Sequence, residues 1–396
     1  MDGEEKSMTL QENSPGDLFN RTPKETISLY LHIGMGKTGT SSIQNFMAGN
    51  TRILWKSCSC LYPNMNKKYL LSTGFINHLF LFNNPDKNLK VAEVRRAVEF
   101  CKKSSTKKLV FSAEALFESR DGPALVKELS EIPGIDLKVI VYLRRQDSWL
   151  ESAWKQWGYK TKDFVDISDY IQRRDCNWYK KIQVWEQAIG KERIIVRCYE
   201  KEQLPNGLIP DFLNVLGIDY HSQNWIDRKD MFIGFQRDVM EILFLNKDFC
   251  FGNSDNRLQN FFDRNLDPSF KKESFKSYSF LSPAERIFIL KKYEATNKCI
   301  AREYLNRPDG VLFYEACPSQ DEQWEPYQGL TVEKIVPIFT QVLYNMDRKY
   351  NKASGNIKGK SGGKAAGRRP TGSSLILSHI RDVIEEKYHL MKIWKR

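Results

Sequence analysis

SLYLHIGMGKTGTSSIQNFM, residues 28–47, decides how the rest of the chain is read. An apolar run of strand formers, Leu29, Tyr30, Leu31 and Ile33, breaks into a loop carrying Gly34, Gly36 and Gly39. Small hydroxyls follow at Thr38, Thr40, Ser41 and Ser42, and a helical segment opens at Ile43. Strand, glycine loop and helix start together aim backbone N–H groups and a helix dipole at a bound anion. Lys37 lies inside the loop, where its ammonium reaches the same anion.

Two familiar nucleotide loops fit this stretch poorly. A P-loop triphosphatase needs GxxxxGK[ST], but the first glycine's place is taken by Leu31, and no aspartate ends a following strand to hold magnesium. The spacing Gly34-x-Gly36-x-x-Gly39 suits a dinucleotide fingerprint, which needs a ribose-binding acid about 20 residues on. From Thr26 to Pro85 there is no Asp or Glu at all, while Lys37, Arg52, Lys56, Lys67 and Lys68 fall there. A plain glycine turn with a surface lysine seldom combines strand, glycines, lysine and several hydroxyls.

A chain of 396 residues has the length for one large α/β domain or two smaller ones. Its mean hydropathy of −0.53 is that of a soluble globular protein. No apolar run approaches the ~20 residues of a membrane helix, and the acidic start MDGEEKSMTLQENSPGD is no signal peptide. The net charge of +12 suits an anionic partner without choosing among nucleotide, acidic glycan, nucleic acid and lipid surface. The eight cysteines form no C-x-x-C pair, and no two of the five histidines are spaced i,i+3 or i,i+4. A reducing compartment and no metal are expected.

Along the chain, residues 1–25 read as a disordered leader. After the first strand and helix, residues 90–103 read as an amphipathic helix and KKLVFSAEALF (107–117) as a buried strand ending at Ser112-Ala113-Glu114. DLKVIVYLRR (136–145) is a third strand and ERIIVRCYE (192–200) a fourth, with helices after each. Alternating strands and helices imply a parallel sheet whose ligands sit beyond the strands' carboxyl ends. Ser282-Pro-Ala-Glu285 is a capping box opening a helix to about Tyr304, and 330–350 is a further helix. Residues 351–373 form a glycine-rich basic linker, and 374–396 an amphipathic C-terminal helix. That helix is left three roles: packing on the body, docking a partner, or peripheral membrane contact.

The second strong signal is VIVYLRRQDSWLESAWKQ, in which a buried strand ends in Arg144-Arg145 and Ser152 follows in the next helix. A guanidinium offers a fork of donors to phosphate, and a hydroxyl adds one more.

HIGMGKTGTSS closely resembles the 5′-phosphosulfate loop of sulfotransferases, and strand–Arg144–x7–Ser152 resembles their 3′-phosphate motif. CLYP, Asn77-His78, FSAEALF, the W-x4-G-x-E-R-I-x-V-R-x-Y-E run of 185–200 and AREYLNRPDGVLF are similar to the carbohydrate-type and bacterial sulfotransferase domain. The likeness covers about 28–218, and 280–318 more loosely. Gly36 departs from it, since many relatives carry a non-glycine residue before the lysine.

The resemblance implies a P-loop-like three-layer α/β domain over 26–350, with a central parallel sheet flanked by helices and further C-terminal helices. It implies 3′-phosphoadenosine-5′-phosphosulfate (PAPS) as donor and a hydroxyl, expected to belong to a carbohydrate, as acceptor. Gly36, Lys37, Thr38, Gly39, Thr40 and Ser41 would cradle the 5′-phosphate, and Arg144 with Ser152 would grip the 3′-phosphate. Lys37 would neutralise the leaving phosphate, as in phosphoryl transfer.

For the base that takes the acceptor's proton, His78 is the first candidate and Glu114, at a strand end, the second. His32, in the strand before the loop, reads as a packing residue. Without the membrane anchor of Golgi relatives, a cytoplasmic location is expected, with no nucleic acid among the partners. The competing reading is a non-catalytic nucleotide- or polyanion-binding protein that keeps the fold.

Overall fold

A computed structural model of the chain describes residues 26–65, 70–71, 78–114, 116–161, 163, 166–226, 235–252, 255–267, 270 and 279–358. The leader 1–25, Asn77, the linker beyond residue 358 and the tail 374–396 lie outside the described residues. Two compact units emerge: the first falls within Met1–Arg145, Asn177–Lys229 and Glu294–Glu315, the second within Gln146–Cys176, Asp230–Tyr293 and Ala316–Arg396.

The first unit holds a sheet of five parallel strands: β1 (Ile27–His32), β2 (Cys60–Leu61), β3 (Lys108–Ser112), β4 (Ile135–Leu143) and β5 (Ile194–Cys198). Their order is β2-β3-β1-β4-β5. The chain leaves β1 toward the β3 side and later returns on the β4 side, so the direction of winding reverses between β1 and β4. A crevice opens at such a switch point, beyond the strands' carboxyl ends. Lys37 follows β1 and Arg144 follows β4, so topology brings the two loops to one place.

Period-two alternation divides the strands between two cores. Tyr30, Val110, Ile140 and Tyr142 face helix α1 (Thr40–Gly49) and the helix Leu208–Val215, packing with Ile43, Phe46, Met47, Phe212 and Leu213. Leu29, Leu31, Leu109, Phe111, Val139 and Val141 are buried on the opposite side. The helices Lys87–Lys103, Gly122–Ser130 and Trp178–Ile189 bury Val94, Ala97, Leu125, Val126, Ile182 and Trp185. Each such side chain is worth about 1.5–3 kcal/mol of burial, so the sheet is a rigid floor for its end loops. The α/β three-layer architecture expected from the sequence is therefore present.

Strand β2 was not expected. At two residues it is too short to show alternation, and it pairs with β3 only through Cys60↔Lys108 and Leu61↔Leu109. The carboxyl half of β3 continues past it.

In the second unit, Trp154 of the helix Gln146–Gln156 packs on Tyr170 and Phe244, each with ring centroids 5.6 Å apart. Buried Asp147 accepts from Arg286 Nε at 3.0 Å. The capping box forms: Ser282 N donates to Glu285 Oε2 at 2.8 Å, and Glu285 N to Ser282 Oγ at 3.3 Å. The helix Val332–Lys358 runs beyond Tyr350 into the stretch read as linker.

Candidate functional site

The loop after β1 is built from backbone that only a few residue types tolerate. Gly34 and Gly39 have φ of 48° and 76°, and Lys37, with a full side chain, has 70°. A non-glycine residue in this region costs roughly 1–2 kcal/mol, so something must hold it. Arg144 does: its Nη1 donates to the Lys37 carbonyl at 3.0 Å. Lys37 and Gly39 have positive φ, whereas Gly36 and Thr38 do not. That alternation turns successive N–H groups toward one side, the geometry of an anion nest.

Close packing explains the glycine at 39. A Cβ there would lie 2.3 Å from Leu208 Cδ2 and 3.1 Å from the Tyr199 ring. The same Tyr199 ring lies 5.9 Å from the Arg144 guanidinium carbon, so it braces both halves of the site. Trp178 Nε1 donates to the Arg144 carbonyl at 3.1 Å. Sequence reasoning gave Tyr199 and Trp178 no role; an aromatic residue after a strand carries no signal of its own.

The predicted phosphate ligands divide by the state of their side chains. Thr38 is buried and its hydroxyl donates to the Met35 carbonyl at 2.6 Å, so that proton is used within the loop. Thr40 Oγ1 is buried with no hydrogen-bond partner. It opens α1, whose Gly39 cap supplies no side-chain hydrogen bond and whose first turn holds no acid. An uncapped helix start, an orphaned hydroxyl and a cradle that a Cβ would fill all suit a bound anion. Gly36, Lys37, Gly39 and Ser41 are half-buried on the same loop.

The tandem arginines part company. Arg145 is buried, donating through Nη1 to the Glu315 carbonyl at 3.0 Å and pairing through Nη2 with Glu315 Oε1 at 3.1 Å. Glu200 fixes the same segment, accepting from Tyr314 N at 2.7 Å and Glu315 N at 3.2 Å. Arg144 is half-buried beside the loop. Ser152 is a buried residue of the second unit, so its pairing with Arg144 rests on sequence spacing alone.

Glu114 follows β3 and sits against the loop: a Cβ on Gly34 would come within 3.0 Å of its Cα and 3.2 Å of Thr40 Oγ1. Burial pushes its carboxyl above the usual range, while the nearby Lys37 ammonium pulls the other way. Glu114 is thus near enough to Lys37 for the two charges to act on one another.

His78 does not have the position expected of a base. Its Nδ1 accepts from Ser112 N at 3.0 Å, which leaves the proton on Nε2, and Nε2 meets the Pro63 carbonyl at 2.8 Å. Burial lowers its pKa to about 4 despite both contacts. No lone pair on the ring remains for a substrate proton. His32 is buried as a packing residue would be, with Nδ1 on Ser112 Oγ at 2.9 Å and its pKa brought down to about 3 by burial.

Among the described residues, no group of three or more His, Cys, Asp or Glu side chains is placed to hold a metal ion, and no helix is long and apolar enough to cross a membrane.

No protein-family model matches the chain. An uncharacterized protein of Archaeoglobus fulgidus is 42% identical over 83 residues, which are 21% of this chain and 23% of that protein. This chain thus spans about a quarter of that relative's length. A sulfotransferase from Alicyclobacillus acidocaldarius is similar over 55% of this chain and 91% of its own, with 13% identity and a TM-score of 0.31. The sulfotransferase domain from the curacin biosynthetic pathway is similar over 49% and 75%, with 12% identity and a TM-score of 0.30. Neither likeness adds to what the sheet and the loop show by themselves.

Gly39→Ala combines a left-handed φ with the Leu208 contact. It is expected to lower the thermal midpoint by several degrees. Adding Leu208→Ala should recover part of the midpoint, because only the clash is relieved. A Gly39→Ala protein with unchanged midpoint would contradict the packing described.

Proposed function

We propose that the chain is a sulfotransferase that moves a sulfuryl group from PAPS to a hydroxyl of an acceptor, with Glu114 as the base. The observation that carries this reading is the meeting of three groups at the strand ends. Arg144 holds the Lys37 carbonyl, and Glu114 lies against Gly34 within the field of Lys37. When bound, PAPS would supply the sulfuryl group and a phosphate that leaves with added charge.

Each residue then has a distinct task. The N–H groups around Gly36 to Ser41 and the start of α1 would hold the 5′-phosphate, with Thr40 Oγ1 as a further donor. Thr38 contributes its backbone only, since its hydroxyl is engaged with Met35. The Lys37 ammonium would meet charge that grows as the bond to sulfur breaks, so it acts chiefly in the transition state. The guanidinium of Arg144 would take the 3′-phosphate, joined by Ser152 as the sequence motif implies. Glu114, with its pKa raised by burial, takes a proton more readily than an exposed carboxylate does. A carbohydrate acceptor rests on the sequence resemblance. A cytoplasmic site of action is in keeping with eight cysteines that form no disulfide among the described residues.

Transfer of label from PAPS to a panel of sugars and alcohols tests the reaction, and activity should persist in excess EDTA. Lys37→Ala should lower kcat far more than it weakens binding of the product nucleotide. Binding without transfer to any acceptor would instead indicate a nucleotide-binding protein that keeps the fold.

Adenosine 3′,5′-bisphosphate should bind much more tightly than AMP in calorimetry. Arg144→Ala should remove most of that preference, a charge-assisted contact being worth ~1.5–3 kcal/mol. The ratio is the quantity to read, because losing the Lys37 contact loosens the loop for both nucleotides. Equal wild-type affinities would refute the 3′-phosphate assignment.

Glu114→Gln should cost roughly 10²–10⁴-fold in rate and remove the acid limb of the pH profile. The base must be ionised and its pKa is raised, so the rate should drop as the pH is lowered, with the midpoint lying above the ordinary glutamate value of about 4.3. A Gln variant that keeps the limb would move the base elsewhere.

A further inference from the structure

We propose that His78 is a positioning residue for Glu114, acting by completing the open edge of β3; this rests on the reading of Glu114 as the base. The two-residue strand β2 covers β3 only to Leu109. Past that point the outer edge of β3 would leave backbone groups buried and unpaired, which is costly for any buried donor or acceptor.

His78 satisfies both groups of Ser112. Its backbone N–H donates to the Ser112 carbonyl at 3.1 Å, and its ring Nδ1 accepts from the Ser112 N–H at 3.0 Å. One residue thus replaces a strand, its imidazole standing where a neighbouring carbonyl would be. The ring is fixed on its other sides as well. Nε2 donates to the Pro63 carbonyl at 2.8 Å, and Tyr62 and Phe111 pack edge-on with centroids 4.8 and 4.9 Å away.

Ser112 is also tied on its inner side. Its hydroxyl meets His32 Nδ1 at 2.9 Å and Gln44 Nε2 of α1 at 3.3 Å. The next residue, Ala113, donates its N–H to the His32 carbonyl at 2.9 Å. Glu114 follows directly, its Cα against Gly34. Releasing the outer clasp frees the strand end one residue before Ala113, and with it the reach of Glu114 toward Lys37. A displacement near 1 Å at a reacting group costs up to about 10²-fold.

The test separates positioning from proton transfer. Asn places Oδ1 where His places Nδ1, so His78→Asn retains an acceptor for the Ser112 N–H but has no basic nitrogen. His78→Ala should lower kcat about 10–100-fold with nucleotide affinity unchanged, and His78→Asn should restore most of that loss. In a Glu114→Gln background, His78→Ala should cost little more, because the group it positions is already disabled.

His78→Asn as slow as His78→Ala, with both binding nucleotide normally, would overturn the proposal, as would a full additive loss in the double variant. If His78→Ala does not fold, the Asn variant against wild type decides: near-normal rate supports the proposal and a rate near zero overturns it. Failure of the Glu114 reading is seen separately, as a Glu114→Gln single variant that keeps the wild-type rate.

Discussion

Arg144 donates one hydrogen bond to the carbonyl of Lys37, and the shape of the glycine loop hangs on it. Lys37 sits in a backbone region that side chains rarely adopt. Glycine there would remove the strain and with it the ammonium. Keeping the lysine requires a donor fixed from outside the loop, and β4 provides one because its end lies beside that of β1 in the switch-point crevice. Tyr199 and Trp178 then hold Arg144, so the strain at one residue is shared by the ends of β4 and β5 and the start of the helix Trp178–Ile189.

Charge is distributed to match. The segment from Thr26 to Pro85 contains no acid, leaving the loop and the start of α1 positive. Glu114 arrives from β3, and burial and Lys37 act on it in opposite senses. A carboxyl held between those influences is sensitive to small changes in distance.

Much of this was legible in the chain. Strand, glycines and helix start marked the loop, and a buried run ending in arginines marked the partner strand, because hydrophobic periodicity survives in sequence. Other features were hidden for physical reasons. Arg144 and Arg145 are adjacent and chemically identical, yet one serves the loop and the other a distant carboxylate; only the register of a strand end distinguishes them. His78 read as a base because its role is to complete a strand edge left open by β2, itself too short to be seen. Thr38 and Thr40 look alike in the motif, and only the Met35 carbonyl separates a hydroxyl already engaged from one that is not. The division into two units, with the second drawn from three separated stretches, has no signature in composition.

The contact between Arg145 and Glu315 bears on the order in which the protein is made. All five strands have been synthesised once Cys198 has been added, yet the guanidinium beside β4 lacks this carboxylate until residue 315 follows. Glu200 waits for the same segment. Contacts this far apart in sequence form slowly, and a nascent chain exposes its unfinished surfaces in the interval. The first unit is therefore begun early and closed late, so a ribosome that stalls between those two points leaves a sheet with its arginine and glutamate clamps still open.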